Sequence, residues 1–350
     1  MAKILALKLL SAIGVILCFA SPSWAEIRTI TATGEYRMGD HDTRADAKRI
    51  ALQDAKRLAL EKAGTYLENV TEIKNFQLDR DEIRAYTAGI VEVTEQQTRS
   101  TMEGETTVVR VEVTCRIDTD VVARQIDALR KNETVKAELL QARQETDRLR
   151  KELDANTREL SAVTSKTETE TIAQARRMVL TGQDVNSLLT QAWVALAGSS
   201  GDLLAGSSST EGRQRARSLT EQALALDASN PDVHVAMGSL LAEEGNINGA
   251  IAAYRTAIRL QPDDAIADSN LGVALAAKGD LEGAIAAYRT AIRLRPDYAD
   301  AHYNLGIALK AKGRKVEAAR EFREYVRLAP DTPANRQQIE KARAKLRGLE

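Results

Sequence analysis

A unit of 34 residues recurs in the C-terminal third of the chain and constrains its fold more than any other feature. The segment Ala250–Leu260, with the sequence AIAAYRTAIRL, is repeated without change at Ala284–Leu294. A period of this length is typical of stacked helical hairpins, because one hairpin alone cannot bury its apolar face. The sequence therefore predicts an all-helical solenoid over residues 231–333, with a degenerate unit before it at 181–230 and a capping helix after it at 334–350.

The recurring positions resemble those of tetratricopeptide (TPR) repeats. Such repeats carry Leu-Gly and a large apolar residue in a first helix, then Ala, an aromatic residue, Ala and Pro in a second. The matching residues are, copy by copy, His234, Met237, Gly238, Leu241, Ala250, Tyr254, Ala257 and Pro262; Leu271, Gly272, Leu275, Ala284, Tyr288, Ala291 and Pro296; and His302, Leu305, Gly306, Leu309, Ala318, Phe322 and Pro330. The resemblance implies a curved solenoid whose first helices line a groove that binds polypeptides.

Residues 1–25 have the composition of a signal peptide. Lys3 and Lys8 are followed by the apolar run Leu9–Ala20 and by small residues up to Ala25. This run is shorter than a comfortable membrane span. We therefore expect export to the periplasm with cleavage after Ala25, and no membrane span in the mature chain. The alternative is a leader that is retained as an N-terminal anchor.

Residues 26–128 are predicted to form an α+β domain. Its predicted elements are a strand at Ile27–Tyr36, an alanine-rich helix at Asp42–Leu67 and a hairpin at Gly89–Thr98 and Thr106–Asp118. Apolar residues alternate along the last of these strands, so that they share one face. Cys115 belongs to this alternation, and we expect it to be a small buried residue.

The same stretch resembles the N-terminal domain of the flagellar assembly protein T family and related small envelope lipoprotein domains. The resemblance is carried by the segments Asp46–Ala55, Thr71–Leu78, Asp81–Ile83 and Ala88–Val93. It implies a protein of the bacterial cell envelope that binds other envelope components without catalysis. Nothing after residue 130 matches the later domains of that family, so the resemblance does not extend to a role in the flagellar motor.

Residues 129–180 are predicted to form a long helical connector with a coiled-coil seam. The seam residues recur in heptads, and they are Val135, Leu139, Ala142, Leu149, Leu153, Asn156, Leu160 and Val163. Asn at a seam position is typical of dimers that fix their register, which favours a parallel homodimer through residues 133–165. The alternative is a single amphipathic helix that packs on a neighbouring domain. The chain is thus predicted to be multi-domain, with an N-terminal α+β domain, a long helical coiled-coil connector and a C-terminal all-α TPR solenoid.

No constellation of residues in the sequence points to catalysis, to a cofactor or to a metal. His234 and His302 share one packing position of the repeats, and His41 has no metal-ligand spacing around it. Neither a phosphate-binding glycine loop nor a nucleophile elbow is present in the sequence. The formal net charge is only −1, so the chain lacks the basic surplus of a nucleic-acid-binding protein. We therefore predict a non-enzymatic protein that binds neither cofactor nor nucleic acid.

The predicted binding groove lies on the first helices of the repeats. Asn270 and Asn304 occupy equivalent positions, where side-chain amides would bracket the backbone of a bound peptide. The candidate groove residues are Asn270, Asn304, Ser269, Tyr303, Val273, Ile307 and Lys310. We predict an exported scaffold or adaptor of the cell envelope that recruits a polypeptide partner there. The alternative is a permanent structural component of an envelope assembly, of flagellar type or another, without a free ligand.

Overall fold

The fold is described by a computed structural model over residues 27–40, 42–73, 91–118, 133–163, 165–200, 208–329 and 335–349, with single residues at 83, 86–88, 122, 125, 126 and 129. The predicted signal peptide, His41 and Pro330 lie outside these residues, as does most of the segment 74–90. In the described part of the chain, none of the helices combines the length and apolar character that crossing a bilayer requires.

A three-stranded antiparallel sheet with one helix forms the N-terminal part of the chain. The sheet has the order β1-β3-β2, and its elements are β1 (Ile27–Arg37), β2 (Glu92–Glu103) and β3 (Thr106–Asp118), with helix α1 (Arg44–Ile73) on one face. The helix lies close to the sheet because a stripe of alanines faces it: Ala47, Ala51, Ala55, Ala59 and Ala63, all fully buried. Cys115 of β3 is buried, as its position in the alternation predicts.

Gly34 of β1 sets how closely α1 approaches the sheet. A Cβ atom at this position would lie only 2.1 Å from the backbone carbonyl oxygen of Ala51. Backbone cannot give way as a flexible side chain can, so the contact requires glycine.

Two long helices follow, and they form an antiparallel pair. Helix α2 (Glu133–Ala162) ends where a predicted continuous connector would go on, and α3 (Lys166–Ser200) runs back along it. The predicted seam of α2 faces α3: Leu149 and Leu153 pack in one cluster with Val179 and Leu180. The pair follows the second interpretation of the heptads, in which the helix packs on its own chain.

The remaining seam residues show the same arrangement. Val135, Leu139, Ala142 and Leu160 are buried, Asn156 is half-buried, and Val163 lies just beyond the end of α2. Asn186 of α3 donates hydrogen bonds to the carbonyl oxygen of Ala142 and to Thr146 Oγ1. A polar side chain thus fixes the register of α2 within the chain. A homodimer through residues 133–165 stays a prediction, and it would need this face of α2 to be uncovered.

A buried ion pair joins α3 to the N-terminal part. The Arg176 guanidinium contacts the carboxylate of Asp42, and both side chains are almost completely buried. Tyr36 donates a hydrogen bond to Asp42 Oδ2 at 2.9 Å and accepts one from Arg176 at 3.2 Å. Burial and the neighbouring Asp42 raise the pKa of Tyr36 to about 12. Around this network, Asp184 of α3 accepts hydrogen bonds from Arg49 at 2.8 Å and from Gln53 at 2.6 Å.

The rest of the chain is a stack of helices in consecutive contact. The helices are α4 (Ser208–Leu226), α5 (Pro231–Glu243), α6 (Ile247–Leu260), α7 (Ala265–Lys278), α8 (Leu281–Leu294), α9 (Ala299–Ala311), α10 (Lys315–Leu328) and α11 (Arg336–Arg347). The pairs α5–α6, α7–α8 and α9–α10 are the three predicted hairpins, and α11 closes the stack. Before them, α3 and α4 form the degenerate unit, in which Trp193, Ala216 and Ala223 are buried. The predicted Gly/Ser loop at 198–212 is shorter than expected, because α3 extends to Ser200 and α4 begins at Ser208.

An aromatic ring lies on a glycine in each of the three hairpins. A Cβ at Gly238 would lie 2.5 Å from the ring of Tyr254, one at Gly272 would lie 2.6 Å from Tyr288, and one at Gly306 would lie 2.9 Å from Phe322. The turns between paired helices use Gly245, Gly279 and Gly313, each at a positive φ near 80°. These positions explain the 34-residue period as a packing requirement.

We expect Arg176→Met to destabilise the attachment of the N-terminal part by about 3 kcal/mol, because it leaves the buried carboxylate of Asp42 without its cation. Urea unfolding measures the change. The neighbouring Arg177→Met is the control, since this exposed side chain makes only a long ion pair with Asp46, and its loss costs about 1 kcal/mol or less. Equal effects of the two substitutions would show that the buried pair does not hold the parts together.

Candidate functional site

The first helices of the three hairpins, α5, α7 and α9, present one surface, which we call the inner surface. Two large apolar side chains remain exposed on it, Val273 at 47% and Ile307 at 40%. They occupy equivalent positions in consecutive repeats, and the exposed Lys310 lies one turn beyond Ile307. A row of exposed apolar groups beside a polar rim is the composition of a ligand-binding surface.

The two predicted asparagines differ in their surroundings. Asn304 is half-buried, whereas Asn270 is only 8% exposed and its Nδ2 donates no hydrogen bond within the protein. A buried donor without an acceptor costs about 1–3 kcal/mol. The amide of Asn270, beside the exposed Val273, is therefore a donor that a bound acceptor would satisfy.

Two of the predicted groove residues pack inside the protein. The ring of Tyr303 lies 5.8 Å from that of Phe322 and 5.0 Å from that of Tyr325, measured between centroids. Ser269 is 3% exposed and is hydrogen-bonded to Tyr298. Sequence position alone did not separate residues on the inner surface from those beneath it. Ser269 and Tyr303 support the site from behind, so we correct their assignment as groove residues.

Helix α2 crosses the N-terminal ends of the inner helices. Gln141 donates a hydrogen bond to Asp232 Oδ1 at the start of α5, at 3.3 Å. Farther along the stack, Ala137 packs on a small apolar cluster that includes Ile266 and Tyr298. The inner surface is thus covered by α2 at the starts of its helices and open at Val273 and Ile307.

Buried carboxyl groups collect where α2 meets the repeats. Burial and the nearby Asp264 and Asp232 raise the pKa of Glu138 well above its usual range. Burial and Asp264 also raise the pKa of Asp232 and of Asp268, each to about 6. Glu138 Oε1 and Asp268 Oδ2 have no hydrogen-bond partner. The sequence did not reveal this cluster, because Glu138 occupies an ordinary polar position of the heptads.

The repeat histidines have structural partners. His302 Nδ1 lies 2.7 Å from Glu321 Oε2, and Nε2 lies 3.2 Å from the carbonyl oxygen of Pro296. Burial opposes the charged form of His302, but the contacts with Glu321 and Pro296 outweigh it and raise its pKa. His234 Nε2 contacts the carbonyl oxygen of Ala228 at 2.9 Å. Among the described residues, no group of three or more His, Cys, Asp or Glu side chains is placed to hold a metal ion.

Comparison with known families defines the class of these repeats. The family described as TPR repeat matches residues 238–279 and 274–313, and the family described as tetratricopeptide repeat matches residues 299–332. The three hairpins are therefore tetratricopeptide repeats, and the prediction made from their sequence is confirmed. The resemblance of the N-terminal part to the flagellar assembly protein T family has no counterpart in these matches and stays a prediction.

Solved structures of repeat proteins resemble part of the chain. MamA is 19% identical, with 52% of this chain and 99% of MamA covered and a TM-score of 0.34. YrrB, a TPR protein with an unusual peptide-binding site, is 20% identical, with 50% and 84% covered and a TM-score of 0.35. The first TPR of Spaghetti (RPAP3), bound to the HSP90 peptide SRMEEVD, is 20% identical, with 35% and 96% covered and a TM-score of 0.31. No curated protein sequence is significantly similar to this chain.

We expect Asp268→Asn to stabilise the protein by about 1 kcal/mol at neutral pH, since one pKa unit corresponds to about 1.4 kcal/mol. A carboxyl whose pKa is raised on folding stabilises the fold below its unfolded value of about 4. That contribution is lost as the pH rises through about 6. Calorimetric Tm values across this window should therefore fall less in the variant than in the native chain. Asp297→Asn, at an exposed position, is the control, and an equal change there would contradict the prediction.

Proposed function

We propose that the chain is an exported, non-enzymatic adaptor of the bacterial cell envelope that holds a polypeptide on the inner surface of its repeats. The observation that carries the proposal is the buried amide of Asn270, whose Nδ2 has no acceptor within the protein. It lies one helical turn from the exposed Val273. A peptide supplies both complements, a backbone carbonyl for the amide and a side chain for the apolar position.

The spacing of the repeats suits an extended or helical segment that crosses several of them. Val273 and Ile307 mark equivalent points on α7 and α9, and Asn270 and Asn304 lie beside them. Backbone hydrogen bonds to such amides give affinity, and apolar contacts select side chains. The inner surface would therefore bind a segment of modest charge that has an apolar residue at each repeat.

The envelope location rests on the N-terminal sequence. Residues 1–25 have the composition of a signal peptide with cleavage after Ala25, and the α+β part resembles envelope domains. On this proposal the N-terminal part contacts an envelope component, and the pair α2–α3 connects it to the repeats. The buried contact of Arg176 with Asp42 makes that connection firm.

The predicted homodimer through residues 133–165 is a separate part of the proposal. It would use the face of α2 that packs on α3, so a dimer requires one α3 to be exchanged for another helix. Light scattering on the mature chain distinguishes the two states. A dimeric mass that becomes monomeric when Leu149→Glu is introduced would support exchange, and a monomeric mass for the native chain would remove it.

A permanent structural role is the second candidate, and one observation favours it. Helix α2 already covers the starts of the inner helices, so part of this surface is committed to a contact within the chain. A permanent assembly would bury the exposed Val273 and Ile307 against a neighbouring protein for the life of the complex.

A binding experiment on the inner surface tests the adaptor. Peptides are selected from a displayed random library on the full mature chain, and the best is titrated calorimetrically. We expect Asn270→Ala with Asn304→Ala to weaken its binding roughly 30-fold, because two lost hydrogen bonds contribute about 1 kcal/mol each. The same variant should keep the native unfolding free energy, because the Asn270 amide makes no hydrogen bond in the free protein.

The control is Asn248→Ala, an exposed asparagine on the second helix α6. It should bind the selected peptide as the native chain does. Enrichment of no peptide, or equal affinity of the double variant and the control, would contradict the adaptor and leave the structural role in the lead.

A further inference from the structure

A second cleft lies beside the inner surface, between α2 and the starts of α5 and α7. Its volume is about 600 Å³, and Val273 and Ile307 take no part in it. Four carboxyl groups line it, together with the amides of Gln141 and Gln144; they belong to Glu145, Asp232, Asp263 and Asp264. The cleft is therefore polar and acidic, in contrast to the apolar row on the open part of the inner surface.

The cations of the cleft are already engaged. Arg148 pairs with Glu145 at 2.6 Å and with Glu152 at 3.1 Å on the exposed side of α2. The guanidinium of Arg295 lies 5.1 Å above the ring of Tyr298. Neither geometry places a cation directly on Asp232, which accepts its hydrogen bond from the neutral Gln141.

Glu138 makes the shortage of positive charge acute. Its side chain is buried at 3% exposure, and Oε1 has no hydrogen-bond partner. The charged groups that act on it are Asp232 from the start of α5, Asp264 from the turn before α7 and Arg295 from the turn after α8. Tyr254 and Tyr298 also lie within its electrostatic reach. A buried carboxyl among other carboxyls is stable only when it is neutral or meets a cation.

We propose that this cleft binds a basic side chain, arginine or lysine, of the polypeptide that the repeats hold. The proposal rests on the proposed function, because the basic residue belongs to the same partner. Arginine fits best, since its planar fork pairs with two carboxylates at once. The partner would then combine apolar residues for the open inner surface with a basic residue at the α2 edge.

The test uses a small probe, N-acetyl-arginine amide, with the uncharged N-acetyl-citrulline amide of nearly the same shape as its control. A ligand that binds the folded state raises Tm in proportion to its occupancy. We expect millimolar arginine amide to raise the Tm of the full mature chain by a few degrees, and citrulline amide to leave it unchanged. The double variant Glu138→Gln with Asp232→Asn should lose the shift.

Two further variants keep the test decisive. Asp147→Asn alters an exposed carboxylate elsewhere on α2 and should respond to arginine amide as the native chain does. If the double variant does not fold, Asp263→Asn at the rim of the cleft replaces it, and its shift should shrink by half or more. A shift that citrulline reproduces, or one that survives both cleft variants, would overturn the proposal.

Failure of this proposal is separable from failure of the proposed function. The chain with Asn270→Ala and Asn304→Ala retains the cleft, so it should respond to arginine amide as the native chain does. Loss of selected peptides with a retained response to arginine amide would leave the cleft standing on its own. The reverse outcome would leave a polypeptide surface that has no preference for basic residues.

Discussion

The contact of an aromatic ring with a glycine at each hairpin crossing is the constraint on which the rest of the structure depends. At Gly272 the ring of Tyr288 occupies the space that a Cβ would need. Because the helices meet this closely, the next hairpin stacks at a fixed interval, and equivalent residues such as Val273 and Ile307 fall in a row. The inner surface, with its regular spacing of apolar groups and amides, is a consequence of that packing.

A second set of contacts determines what lies beside this surface. Helix α2 is held on α3 by its seam, and α3 is held on the N-terminal part by Arg176 and Asp42. This chain of contacts places Glu138 against Asp232 and Asp264, where three carboxyl groups share little positive charge. The apolar row and the acidic edge are therefore neighbours, and together they define a partner with both apolar and basic residues.

The sequence predicts some of this architecture well and some of it poorly, for physical reasons. The repeats are predictable because identical packing recurs at Gly238, Gly272 and Gly306. The seam of α2 is also visible, but a heptad pattern does not say which helix covers it, and here α3 of the same chain does. Tyr303 looked like a groove residue because position within a helix does not give depth. Glu138 left no signal, since its burial depends on a contact between distant segments.

The most direct test of the central claim is position-specific photo-crosslinking in envelope extract. A benzophenone side chain is introduced at Val273 on the inner surface, or at Val316, which is 86% exposed on the second helix α10. The account predicts that position 273 crosslinks one defined polypeptide and that position 316 does not. The same products at both positions, or none at 273 while the N-terminal part retains a partner, would contradict a polypeptide-binding inner surface.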